Sequence, residues 1–128
     1  MDSLRVEVLD LVNRERAGGG CGPLRANVQL QAAAQSHSDD MAARGFFEHV
    51  NPDGVGPDGR IEAAGYSWST VGENIAAGHD SAALVMAEWM TSDGHRSNIL
   101  DCAFTELGVG ITLGTGGPWW TQNFGAPA

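Results

Sequence analysis

Apolar residues recur at helical spacing from the start of the chain, where Leu4, Val8, Leu11 and Val12 line one face behind Asp2 and Ser3. The pattern predicts a first helix, with Asp2-Ser3 as its cap and the glycine run at 18–20 as its stop. A second helix is predicted behind Asn27, with Leu30, Ala34, His37 and Met41 on its apolar face and Gly45 as terminator. The stretch NPDGVGPDGR is turn chemistry, and Pro57 suits the first turn of a short helix reaching Ala64. Asp80 and Ser81 open a further helix whose apolar face is Ala82, Val85, Met86 and Trp89, ending near Ser92. The segment that follows, SDGHRSNIL, reads as a glycine turn carrying His95.

Alternation with period two comes late in the chain. ELGVGITLG and WWTQNFG predict an antiparallel pair joined through Thr115-Gly116-Gly117-Pro118, and VGENIAAG offers a third, shorter strand. Helices first and strands last predict an α+β fold in which helices cover a small antiparallel sheet. No repeat, linker or low-complexity segment interrupts the 128 residues, so one domain over 1–128 is expected.

Composition removes several function classes. The chain is 42% hydrophobic and 18% charged, with four tryptophans, which predicts a folded core. Its formal charge of −9, from 16 acidic and 7 basic residues, repels phosphate backbones and argues against nucleic acid as a partner. No apolar run approaches the roughly 20 residues of a membrane span. MDSLRVEVLDLVNRERAGG is charged throughout and lacks the apolar core of a signal peptide, so an exported form would present this chain as a trimmed mature domain. A monomer is expected. Cys21 and Cys102 have no CxxC spacing, and both lie beside predicted loops. A disulfide is the favoured reading, with two buried reduced thiols as the alternative.

Candidate chemistry falls in three places: FFEHVNPDG with His49, VGENIAAG with Glu73, and SDGHRSNIL with His95. In an extended VGENIAAG, Val71, Glu73, Ile75 and Ala77 share a face, which sets a carboxylate among apolar neighbours. Such a carboxylate needs a partner, and a histidine or a metal ion would serve. His49 and His95 are both expected on turns just beyond helices. His37 lies on an apolar helix face and reads as a core histidine with its nitrogens satisfied, whereas His79 reads as exposed. Asp53 and Asp58 superficially suggest a calcium loop, but Pro52 and Val55 fit a plain turn better. Ser92 and Ser97 flank His95 without a GxSxG or an oxyanion arrangement, so a serine hydrolase is a poor match.

In order, AAQSHSDDMAARGFFEHVNPDG, AAGYSWSTVGENIAAG, AEWMTSDGHRSNILDCAFTELGVGI and PWWTQNFG closely resemble the CAP superfamily of SCP-like domains, from about residue 3 to residue 125. The bacterial form is the nearest in pattern. The resemblance implies a three-layer α-β-α sandwich, an extracellular setting, and a cleft holding His49, His95 and, as its first acid, Glu73. It also implies that Cys21 and Cys102 are bridged, as in actinobacterial members. The family's second acid would fall at Ser92, and Glu88, one helical turn earlier, is the remaining acid that could stand in for it.

Two imidazoles predict a weak Zn²⁺ site on His49 and His95, with Glu73 either as a third ligand or as a base on metal-bound water. The leading functional expectation is a secreted domain that binds a small lipid-like ligand or a cell-surface partner through this cleft, without hydrolysing it. The alternatives are a metal-dependent hydrolase of peptide or cell-wall material and a structural module of a larger surface protein.

Overall fold

The computed structural model describes residues 2–128; Met1, the first residue of the expected domain, lies outside them. Nine elements follow in the order α1 (Asp2–Gly18), β1 (Arg25–Ala26), α2 (Val28–Arg44), α3 (Pro57–Ala63), β2 (Trp68–Ala77), α4 (Ala82–Thr91), α5 (Asp93–Ile99), β3 (Glu106–Thr112) and β4 (Trp119–Pro127). The strands form a sheet in the order β1-β3-β4-β2. The fold is α+β, a sheet between two helical layers. On one face α2 lies so close to β3 that a Cβ at Gly108 or Gly110 would collide with its backbone at Leu30, Gln31 and Ala34. On the other face Val8, Val12, Val85 and Trp89 from α1 and α4 pack against Leu107, Val109, Ile111, Trp120 and Phe124.

Local chemistry explains several boundaries. Asn27 caps α2 by accepting from the backbone N–H of Gln29 and Leu30, and Gly45 ends it with a left-handed φ of 67°. Ser81 caps α4 by accepting from Leu84 N–H, and Pro57 opens α3.

Other expectations need correction. Asp2 and Ser3 lie inside α1 rather than before it, and Asp2 is bound instead to Arg5. The helix also runs into the first residue of the glycine run, ending at Gly18. All of VGENIAAG but its last glycine belongs to the longest of the described strands, the ten residues of β2, paired antiparallel with β4 from Trp68 to Ala77. The sheet is mixed rather than wholly antiparallel, because β1 pairs parallel with β3 through Arg25 and Ala26. The residues expected on a turn at SDGHRSNIL form the helix α5.

Side chains seal both edges of the sheet, which limits edge-to-edge pairing. Beyond the two residues of β1, Gln35 treats β3 as a strand would, accepting from Ile111 N–H and donating to Ile111 O, while Arg5 donates to Val109 O. On the opposite edge, the outward carbonyls of Glu73 and Ile75 in β2 accept from Asn98 Nδ2 and Trp89 Nε1.

Two devices tie α1 to the segment after α5. Cys21 and Cys102 form a disulfide across a sequence separation of 81. Arg16 is buried and spends its guanidinium on four carbonyls, those of Gly22, Ile99, Asp101 and Phe104.

Candidate functional site

Edge strand β2 carries Glu73 on the face toward α2, where it is 6% exposed. An ionised carboxylate offers about four lone-pair sites. All four are occupied: Oε1 accepts from His49 Nδ1 (2.8 Å) and Arg60 Nη2 (3.1 Å), and Oε2 from Arg60 Nη1 (2.8 Å) and Asn123 Nδ2 (2.8 Å). Burial on its own would raise the Glu73 carboxyl, but the bonds from His49, Arg60 and Asn123 and the arginine charge outweigh it and hold the group below the usual range. Glu73 is therefore a fully hydrogen-bonded, ionised acceptor, and a metal ion or a proton would have to displace one of these bonds.

The partner that sequence reasoning missed is Arg60. Pro57, Arg60, Ile61 and Ala64 follow helical spacing, and both Arg60 and Ile61 are buried. A charge on the apolar face of a short helix and another in an apolar strand face were the legible signal, since each requires the other.

His49 sits in the loop between α2 and α3, where side chains hold two main-chain carbonyls. Arg60 Nη2 donates to His49 O (2.6 Å), and His37 Nε2 donates to Glu48 O (2.8 Å). His95 lies in the first turn of α5 rather than on a free turn. Its carbonyl accepts from Asn74 Nδ2, and Asn98 one turn on donates to Asn74 Oδ1 and Glu73 O, so three bonds fasten α5 to β2. Burial, with the His49 charge adding to it and Glu88 opposing, holds the His95 imidazole below its ordinary value.

The two histidines meet in an open cleft of about 500 Å³, whose other lining residues are Phe47, Glu48, Val50 and Ile75. Phe47 and Val50 are each 50% exposed at its rim, and the Phe47 ring lies 6.4 Å from Trp119. Among the remaining sequence candidates, Glu88 is exposed on α4, and Ser92 joins α4 to α5 with no side-chain cap bond. His79 is half-buried rather than exposed, and its carbonyl accepts from Trp120 Nε1. Asp53 binds Arg44, consistent with a turn. A smaller apolar cavity of about 200 Å³ lies at the β3 edge, but Arg5 there is already bonded to Val109 O, Asp2 and Gln35.

The structure satisfies only one nitrogen of His37, against the expectation for both. Nδ1 is buried without a partner, and Nε2 lies 4.0 Å from Glu73 beyond its bond to Glu48. Burial is the largest influence and holds His37 below 6.5 despite Glu73 nearby. The unfolded chain therefore takes up this proton first, and stability falls as pH drops from about 6.5 toward the folded value. Glu73 adds a second loss from about 4.5 downward, because its folded carboxyl is depressed. Urea unfolding of the wild type between pH 7 and 5 should show the first slope, at most about 1.4 kcal/mol per pH unit for each proton. His37→Gln should reduce it and leave the part due to His95, whose folded imidazole is also depressed; an equal slope in both proteins would contradict the assignment.

Comparison with known proteins places these features in a family setting. The family model for the cysteine-rich secretory protein family, CAP, matches residues 9–124. The uncharacterized protein YkwD of Bacillus subtilis is 39% identical over 118 residues, covering 92% of this chain and 45% of YkwD. The 1.5 Å crystal structure of an extracellular protein containing an SCP domain from Bacillus anthracis superposes with a TM-score of 0.91 at 31% identity, over 97% of this chain and 40% of that one. An outer surface protein of Borrelia burgdorferi shares the fold, with a TM-score of 0.87 at 17% identity over 94% of this chain and 90% of its own. The chain thus spans less than half the length of YkwD and of the Bacillus anthracis protein.

Proposed function

Because the chain belongs to the cysteine-rich secretory protein (CAP) family, we propose that it is a ligand-binding domain of an extracellular protein and that its ligand enters the cleft between His49 and His95. The disulfide supports the extracellular setting, since such bridges persist in oxidising compartments. So does the similarity to an extracellular protein of Bacillus anthracis. The observation that carries the binding role is the pair of imidazoles at one cleft, beside a carboxylate whose lone pairs are all used. That bonding favours binding over hydrolysis, because Glu73 would have to break an existing bond before it could accept a proton from water.

Zn²⁺ is the ion that suits this donor set, with His49 and His95 as its protein ligands. Nδ1 of His49 is bonded to Glu73, which leaves Nε2 as the coordinating atom and orients the ring. No group of three or more His, Cys, Asp or Glu gathers to hold a metal ion among the described residues, so the fit is to a weak, two-imidazole site. When bound, the ion would supply Lewis acidity and a positive charge for a ligand's electron pair.

Isothermal titration with Zn²⁺ tests the reading. At pH 7.5 the wild type is expected to give a binding isotherm that His49→Ala and His95→Ala each abolish. Binding should weaken at pH 5.5, because protons compete with the metal for the imidazole nitrogens and a protonated ring does not coordinate. Equal binding in all three proteins would place the metal elsewhere and return the cleft to an organic ligand or a structural role.

A further inference from the structure

Every bond that Arg60 makes with its terminal nitrogens serves His49. Two go to Glu73, the acceptor of the His49 Nδ1–H, and the third goes to the His49 carbonyl at 2.6 Å. One guanidinium therefore fixes both the backbone that carries the ring and the oxygen that the ring must meet. A neutral imidazole otherwise exchanges its single hydrogen between Nδ1 and Nε2, and the bond made by one nitrogen decides what the other offers. The planar fork of arginine matches a carboxylate at two points, which a lysine cannot do.

The electrical character of the cleft follows from the same arrangement. Its lining residues are Phe47, Glu48, His49, Val50, Ile75 and His95, which include one carboxylate and no arginine. All seven basic residues of the chain are arginines, so no lysine is available either. Arg60 lies behind the histidine with its charge matched by Glu73, and both side chains are almost fully buried. An incoming carboxylate or phosphate finds no free cation.

We propose that Arg60 is the positioning residue of this cleft: through Glu73 it holds His49 as the tautomer with hydrogen on Nδ1, so the site meets its ligand with the bare Nε2 of His49 and accepts cations and hydrogen-bond donors in preference to carboxylates and phosphates. The ligand preference rests on the cleft being the binding site, as proposed above; the tautomer does not. Arg60 touches no ligand in this account and acts only through Glu73 and the His49 backbone. Its loss changes the donor atom of the site without removing either imidazole.

The test uses the full chain labelled with ¹⁵N at histidine, followed by long-range ¹H–¹⁵N correlation of the ring nitrogens at pH 7.5 and low temperature. In the wild type His49 should show the signature of hydrogen on Nδ1 and a bare Nε2. Arg60→Met should lose that pure signature and bind Zn²⁺ about 10- to 100-fold more weakly, the range for removing an outer partner of a metal-binding histidine. Arg60→Lys should fall between the two. Inorganic phosphate should leave the His49 and His95 signals of the wild type unmoved. Hydrogen on Nε2 of wild-type His49 would overturn the positioning role even if Arg60→Met fails to fold, and so would an Arg60→Met protein with unchanged tautomer and zinc affinity. Phosphate-induced shifts would overturn the ligand preference. If the tautomer responds as expected while no form of the protein binds zinc, the positioning role stands and the metal reading of the cleft falls.

Discussion

Reduction of the Cys21–Cys102 bridge, or its removal by Cys21→Ala with Cys102→Ala, is expected to lower the stability of the fold by about 4.5 kcal/mol, the chain-entropy value for closing a loop of this length. For a domain of this size that corresponds to a fall in Tm of roughly 15 °C. The loss acts through the unfolded chain, because the two segments joined by the bridge are also fastened in the native state by Arg16 and its four carbonyl acceptors. The reduced protein should accordingly keep its far-UV circular dichroism at low temperature and unfold at lower urea concentration. A midpoint that does not move with reductant, in a protein whose mass shows two free thiols, would contradict this.

Arg60→Met carries the second large effect. The Arg60–Glu73 pair is 9% and 1% exposed at its side chains, so it is shielded from the solvent screening that makes surface ion pairs weak. Removing the cation takes away two of the four donors around a buried carboxylate. Breaking one side of such a pair costs about 3–5 kcal/mol, whereas replacing both charges by apolar groups of similar volume is often nearly neutral. Arg60→Met is therefore expected to lose several kcal/mol in urea unfolding at pH 7, and Arg60→Met with Glu73→Leu to recover much of it. A single-mutant loss below about 1 kcal/mol would mean that the pair is hydrated or open in solution.

The sequence was most readable where a boundary depends on neighbouring residues alone. Asn27 and Gly45 delimit α2 because a cap and a left-handed terminator are local chemistry, and the alternation in ELGVGITLG marks β3 because Gly108 and Gly110 meet the α2 backbone while Leu107, Val109 and Ile111 meet the α1 and α4 layer. By contrast, β1 is two exposed residues with no pattern of their own, and it exists because the chain passes alongside β3 between α1 and α2. α5 was hidden because Gly94 resembles a turn and Ile99 is its one buried residue, which leaves no apolar stripe to read. The histidines and Glu73 were legible as candidates from their setting and from family resemblance. Arg60 showed only as a charge on the apolar face of a short helix, a signal that acquires its meaning from a partner on another element 13 residues away. The filling of all four acceptor positions on Glu73 is a property of packing and has no sequence pattern.

On this account the cleft works through His49 Nε2 and His95 while Glu73 stays committed to Arg60. Anomalous diffraction at the zinc edge from a Zn²⁺-soaked crystal of the full chain tests it most directly. The expected map has one anomalous peak bonded to Nε2 of His49 and to the His95 ring, with the Glu73 carboxylate still paired to Arg60 and Asn123. A peak coordinated by Glu73, or one away from both histidines with the cleft empty, would contradict it.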